Sequence, residues 1–333
     1  MGVVLAPVNG KGTAARLARA GARELYMGFH DPAWTEAFGG NAALNRMSGF
    51  GQEANTLSFE ELLDEAVETE RELADEGLGG VSLFCVFNAA GYSADQIAFI
   101  SQRYLPRLSD AGFRGIIVSG PDLVEAAHAN AMTAVASTMC AIYNEDLARY
   151  YESCGIDRAI LPRDVTLDDV EDVVRAVPGL RYEVFFMRNG CIFADSHCMG
   201  LHKAGCPSTC LALRGAASYN QLPTFDGPAP LDPDAFGYND SVYRNEFHYS
   251  ACGLCALWRF EKMGIDAYKV VGRGDEVDDL EEDIRLAAEN LAIARECASE
   301  AEYLERMYRP AGILELCAME GQSCYYPEPR FGR

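Results

Sequence analysis

The sequence is short of positive charge. Lys and Arg number 28 against 50 Asp and Glu, for a formal net charge of -22. A protein that grips a phosphate backbone by itself needs a basic excess to release counterions, so direct nucleic-acid binding is disfavoured. An acidic surface that keeps the chain soluble is the plainer account. Long apolar runs are missing as well: nothing approaches the roughly twenty residues of a membrane span. The opening MGVVLAPVNGKG has no basic segment ahead of an apolar one, which argues against a signal peptide. There is no H-E-x-x-H pair, no internal repeat and no low-complexity segment. Gly10-Lys11-Gly12-Thr13 lacks the earlier glycine of a phosphate loop and reads as a turn entering a helix.

What is present is apolar residues in short alternating runs, and cysteine. At 333 residues and 49% hydrophobic content the chain can bury a large core. Eight β-branched or apolar runs recur between longer amphipathic stretches: residues 3–7, 24–28, 80–87, 115–119, 133–138, 158–162, 182–187 and 267–271. The stretches between them predict helices over 12–20, 58–76, 93–111, 121–129, 144–154, 166–177 and 254–263. Ser58, Ser93 and Thr166, each followed by acidic residues, suit helix N-termini, and Gly77, Gly112, Gly155 and Gly264 suit their ends. This rhythm predicts an α/β fold, a (β/α)8 TIM-like barrel, in preference to a doubly wound open sheet. The expected division is a barrel over 1–274, with a cysteine-rich insertion at 188–251 after the seventh strand, and an acidic helical extension and tail over 275–333. A second insertion, polar and Gly-rich, runs from His30 to Thr56.

The twelve cysteines, in a chain without a secretion signal, point to a reducing, cytoplasmic setting where clustered thiols read as metal ligands. Cys191, Cys198, Cys206 and Cys210 fall in one short segment, and the C-x-x-C pair Cys252 and Cys255 follows about forty residues on. Thiolates so spaced can wrap an iron-sulfur cluster or a structural zinc, or form disulfides. Cys206-Pro207 and the long loop favour iron-sulfur. Cys85, Cys140, Cys154 and Cys297, inside apolar or helical patterns, are expected to be core residues.

In such a barrel the loops leaving the strands share one rim, and the active site belongs there. Both cysteine groups map to it. So do His30, Asn88, Ser137, Thr138, Arg163, Asp164, Lys269 and Arg273, which would line a pocket for a polar, anionic small molecule. Arg163 follows Leu161-Pro162 directly and carries a bidentate anion-binding fork. Arg163, Lys269 and Asn88 are the candidate catalytic groups, and the others are candidate substrate contacts.

Several segments resemble the collagenase-like peptidases, family thirty-two among peptidases of unknown catalytic type. Val4-Leu5-Ala6-Pro7 and Glu24-Leu25-Tyr26-Met27-Gly28 look like the family's first two strands. Ile117 to Pro121, Ala136-Ser137-Thr138 with Asn144, and Ala159 to Asp164 look like its middle ones. Cys191 and Cys198, then Cys206-Pro207-Ser208-Thr209-Cys210, are similar to its C-x6-C and C-A-Q-P-C elements, and Gly264 to Lys269 with Gly272-Arg273 is similar to its closing strand. The chain departs from the pattern at Val271, where the family has Glu, at Met187-Arg188, where it has His, and in a shorter Cys198–Cys206 loop.

The resemblance implies a 4Fe-4S cluster, with zinc as the alternative, on Cys191, Cys198, Cys206 or Cys210, and Cys252 or Cys255. It also implies a paired family subunit or electron donor as partner. Its members include proteins named as peptidases, RNA-modifying enzymes and proteins of oxygen-independent hydroxylation. Hydrolysis needs an activated nucleophile or a metal-bound water; His197 beside Cys198 is adjacent in sequence only, so redox modification is expected over proteolysis. A non-catalytic metal-binding subunit is the remaining class.

Overall fold

In a computed structural model, which describes residues 1–40, 42–48, 55–188, 190, 251–318 and 324–331, eight parallel strands close on themselves in sequence order. They are β1 (Val3–Pro7), β2 (Glu24–Met27), β3 (Ser82–Phe87), β4 (Gly115–Val118), β5 (Thr133–Ala136), β6 (Arg158–Ile160), β7 (Arg181–Met187) and β8 (Ala267–Val270). The seam is β8 against β1, with Val3 opposite Ala267 and Leu5 opposite Lys269. This is the (β/α)8 barrel that the alternation predicts. Nearly every strand residue is buried, as required when a parallel sheet is filled inside and covered outside.

The helices start where the sequence provides caps. Ser58 accepts from the Glu61 amide while Glu61 reaches back to Ser58, and the same reciprocal box joins Ser93 to Gln96 and Thr166 to Asp169. Gly264 ends the helix Leu257–Met263 with φ at 81°, where a side chain would be strained.

Three segments differ from expectation. The stretch 93–111 is interrupted by a π-helical turn, Ile100–Tyr104, between Ala94–Phe99 and Leu105–Asp110. The extra residue of that turn accompanies the burial of Tyr104 in an aromatic cluster with Phe29, Phe59 and Phe99, its hydroxyl donating to Asp31. The polar insertion after β2 holds a helix, Pro32–Phe38, capped by Asp31 and anchored by buried Trp34. Finally, the acidic region after 275 begins with the barrel's own eighth helix, Val277–Glu296. It packs on the helix Ala14–Ala20 and on β1, with Arg16 paired to Asp278 and Glu281. Cys85, Cys140 and Cys297 are buried as expected, whereas Cys154 at a helix end is only half-buried.

Arg188 ends β7 with a left-handed φ of 66°, unusual for a residue with a side chain. Its buried guanidinium meets Asp275 at 3.2 Å, Asp283 at 3.1 Å and Asp279 at 3.6 Å. Burial pushes the Asp283 carboxyl up to about 6, against the opposing pull of Arg188. Because the folded chain then holds the proton more tightly than the unfolded one, this carboxyl costs stability as pH rises from about 4 to about 6. Asp283→Asn is therefore expected to flatten that part of the stability profile, read as urea midpoints from pH 4 to 7. A profile parallel to the wild type would count against this assignment.

Candidate functional site

The floor of the site is a charge network inside the barrel. Arg158 on β6 is 1% exposed and Glu183 on β7 is fully buried. Arg158 reaches Glu24 on β2 at 2.7 Å and Glu183 at 3.3 Å, while Lys269 on β8 donates to Glu183 at 2.7 Å. Phe84 lies under the Arg158 guanidinium, and the Tyr26 ring lies 3.9 Å from the Lys269 nitrogen. Burial carries Lys269 below the ordinary lysine range, with Glu183 opposing it, and raises Glu24, with Arg158 opposing it. Lys269, one residue before the C-terminal end of β8, is thus held by Glu183 in a buried pair.

Above the floor, at the C-terminal ends of the strands, the residues expected at the rim divide into two groups. One centres on Arg273, which follows β8 and is buried, its pKa drawn down to about 10 by that burial. Its Nη1 donates to Asn55 Oδ1 at 3.4 Å, and Asn45 Nδ2 donates to the same oxygen at 3.2 Å. Asn88, after β3, donates to Ser137 Oγ at 3.1 Å and accepts from the Arg46 amide. Ser137 in turn caps the short turn carrying Thr138, and both are buried. His30 Nδ1 lies 3.0 Å from the Asn55 carbonyl. The structure therefore brings His30, Asn88, Ser137, Thr138 and Arg273 to one side of the mouth. Sequence reasoning missed Asn45 and Asn55; both lie in the polar insertion, where the asparagines were the available signal and the structure shows them buried.

The other group faces β6 and β7. Arg163 lies 4.2 Å above the Phe185 ring, and Asp164, exposed, accepts from the Tyr143 hydroxyl at 3.0 Å. Cys252 and Cys255, both buried, enter beside the end of β7: Cys252 bridges Met187, and the Gly253 amide donates to the Phe186 carbonyl. Cys191, Cys198, Cys206 and Cys210 lie outside the described residues. Buried thiols at the rim are the soft donors that iron or zinc takes, so the described part of the expected ligand set fits such a centre. Among the described residues no three His, Cys, Asp or Glu side chains meet at single-ion spacing.

Gly28 marks how tightly the Arg273 side is built. A Cβ there would fall 2.5 Å from Asn55 Oδ1 and 2.6 Å from Arg273 Nη1. Gly28→Ala is expected to cost roughly 1–3 kcal/mol by overpacking. Gly79→Ala, where nothing lies within 4 Å, provides a neutral control in the same urea titration.

The profile of Peptidase family U32 matches residues 12–309. A curated relative, tRNA hydroxylation protein P of Escherichia coli (strain K12), is 25% identical over 122 residues, 36% of this chain and 26% of that protein. The matched stretch thus spans about a quarter of the relative's length. Among solved structures, the U32 peptidase Mk0906 is similar over 82% of this chain and 93% of its own, at 12% identity and a TM-score of 0.48. A 2,3-dimethylmalate lyase is similar over 73% and 93%, at 15% identity and a TM-score of 0.37. With the profile matched from the first helix to beyond the eighth, this chain belongs to peptidase family U32.

Proposed function

We propose that this protein is a redox enzyme that hydroxylates, without molecular oxygen, a small or ring-containing anionic substrate at the barrel mouth. In this reading a thiolate-held 4Fe-4S centre stands beside the mouth, with zinc as the alternative metal. The observation that carries it is the sharing of one rim by anion-binding groups, Arg163 and Arg273, and by buried soft donors, Cys252 and Cys255. Cys191, Cys198 and Cys206 or Cys210 would complete the ligand set. When bound, such a centre exchanges single electrons. The chain's own residues do the rest: Arg163 offers a bidentate fork to a carboxylate, Arg273 holds negative charge against Asn45 and Asn55, and the Asn88–Ser137 pair presents a fixed polar edge. Replacing C–H by C–OH with oxygen taken from water releases two electrons and two protons, so the electron-transfer partner, a partner protein or a paired family subunit, would carry those electrons away. A cytoplasmic setting suits the free thiols.

Modification of RNA is the second reading, favoured by the name of the Escherichia coli relative. The net charge of -22 weighs against it unless a partner supplies the basic surface. Proteolysis has less support. Of the described histidines, His30 Nδ1 contacts the Asn55 carbonyl and His128 Nε2 pairs with Asp157.

Anaerobic purification is expected to give a brown protein containing iron and acid-labile sulfide; a colourless protein with stoichiometric zinc would replace the cluster by a structural metal. In a strain lacking the gene, metabolite profiling should show an under-hydroxylated small molecule accumulating. Loss of a tRNA or rRNA modification instead would transfer the reading to RNA. Peptide libraries are expected to remain uncut, and cleavage abolished by a single Cys or His substitution would restore the peptidase reading.

A further inference from the structure

Arg273 is a buried cation without an anion. The other basic side chains buried among the described residues are all paired: Arg158 with Glu24 and Glu183, Lys269 with Glu183, and Arg188 with three aspartates. No described Asp or Glu stands at ion-pair distance from Arg273. Its one hydrogen bond among the described residues runs from Nη1 to Asn55 Oδ1 at 3.4 Å. That is long for a guanidinium, which bonds a carboxylate at about 2.7–2.9 Å. The other N–H groups of its fork find no acceptor there. Burial draws its pKa down to about 10, as expected where a charge leaves water uncompensated.

The surroundings are built to hold a second group against it. Asn55 Oδ1 also accepts from Asn45 Nδ2 at 3.2 Å, so two donors share one neutral oxygen. Asn45 is fully buried and fixed in orientation, because its Oδ1 accepts the Met47 amide at 3.0 Å and its own amide donates to Ser48 Oγ. The three polar atoms converge over Gly28, where a Cβ would stand 2.5 Å from Asn55 Oδ1, 2.6 Å from Arg273 Nη1 and 3.0 Å from Asn45 Nδ2. A side-chain amide is planar and has the shape of a carboxylate. Asn55 therefore sets a neutral oxygen where a guanidinium and an amide donor would bind a charged one more strongly.

We propose that Arg273 and Asn45 form a carboxylate-binding subsite, in which a carboxylate of the ligand takes over the donors that Asn55 Oδ1 now occupies. The proposal rests on the reading of the mouth as the site of an anionic substrate and narrows it: the substrate is a carboxylic acid, anchored on the β8 side. The planar fork, and the planar group standing in it, match a carboxylate rather than a tetrahedral phosphate. Arg163 is half-buried and laid 4.2 Å over the Phe185 ring. Arg273 is already out of water, so an anion gains more from meeting it.

The test uses the full chain, purified without oxygen and titrated with acetate or benzoate, with chloride and sulfate at equal ionic strength as references. Binding is read by calorimetry and by the urea midpoint. Both carboxylates are expected to bind the wild type saturably and raise its midpoint. Asn55→Asp places a carboxylate in the fork permanently. It should raise the midpoint in chloride and weaken carboxylate binding roughly tenfold or more, the worth of one charge-assisted hydrogen bond. Arg273→Gln should weaken binding as much; if it fails to fold, the wild type and Asn55→Asp decide. A wild type equally stable in acetate, benzoate and chloride would overturn the proposal, as would a larger effect of sulfate or an Asn55→Asp variant that binds carboxylates normally. Binding needs no turnover. A colourless zinc protein that binds benzoate would remove the redox reading alone, and a brown protein indifferent to carboxylates would remove this subsite alone.

Discussion

One buried guanidinium holds the rim together. Arg188 sits where β7 ends, and its carboxylate partners Asp275, Asp279 and Asp283 all belong to the turn and helix after β8. Its amide donates to the Ala251 carbonyl, where the chain returns from the long insertion, and its carbonyl accepts from the Tyr325 hydroxyl. A single residue thereby fixes the strand end, the returning cysteine pair, the eighth helix and the tail. The left-handed backbone at this position is stabilised by those surroundings, since an arginine without them would not favour it. Three carboxylates face one cation here, so the cluster keeps part of the acidic excess, and burial raises the Asp283 carboxyl.

A second ionic centre lies deeper and has the opposite character. Glu24, Arg158, Glu183 and Lys269 occupy the barrel interior, where branched apolar side chains usually fill the layers. Buried charge networks seldom add stability over well-packed apolar side chains, but removing one member leaves another uncompensated, at about 3–5 kcal/mol. The network joins β2, β6, β7 and β8, and so ties opposite walls of the barrel below the mouth.

The strand order, the capping boxes at Ser58 and Thr166, and the rim positions of Asn88, Ser137 and Arg273 were legible because each is a local pattern or follows from where a strand ends. The interior network was not. Glu24 and Arg158 open their apolar runs directly after Arg23 and Asp157, Glu183 lies inside one, and Arg158 lies 134 residues from its partner Glu24. Nothing local distinguishes such a residue from a strand-end surface charge. Lys269 shows the same limit, since the sequence places it on β8 but not its side chain against Glu183. The helix Pro32–Phe38 was hidden by the polar, Gly-rich composition around it, and its real anchor, Trp34, packs against Phe99 and Tyr104 far along the chain. Cys317 and Cys324 were visible as residues, but their convergence on Cys252 needs the tail to fold back across the barrel.

That return of the tail has a consequence in time. Cys255 and Cys324 are separated by 69 positions in the sequence. At the usual 5–20 residues per second, a ribosome needs about 3–14 s to make that stretch. For that interval the C-x-x-C pair exists without the segment that covers it, and β8 itself is made only after the interval has begun. The nascent chain thus passes through a stage in which two thiols meant for burial face the solvent, and their fate depends on the redox state and metal supply of the compartment where translation occurs.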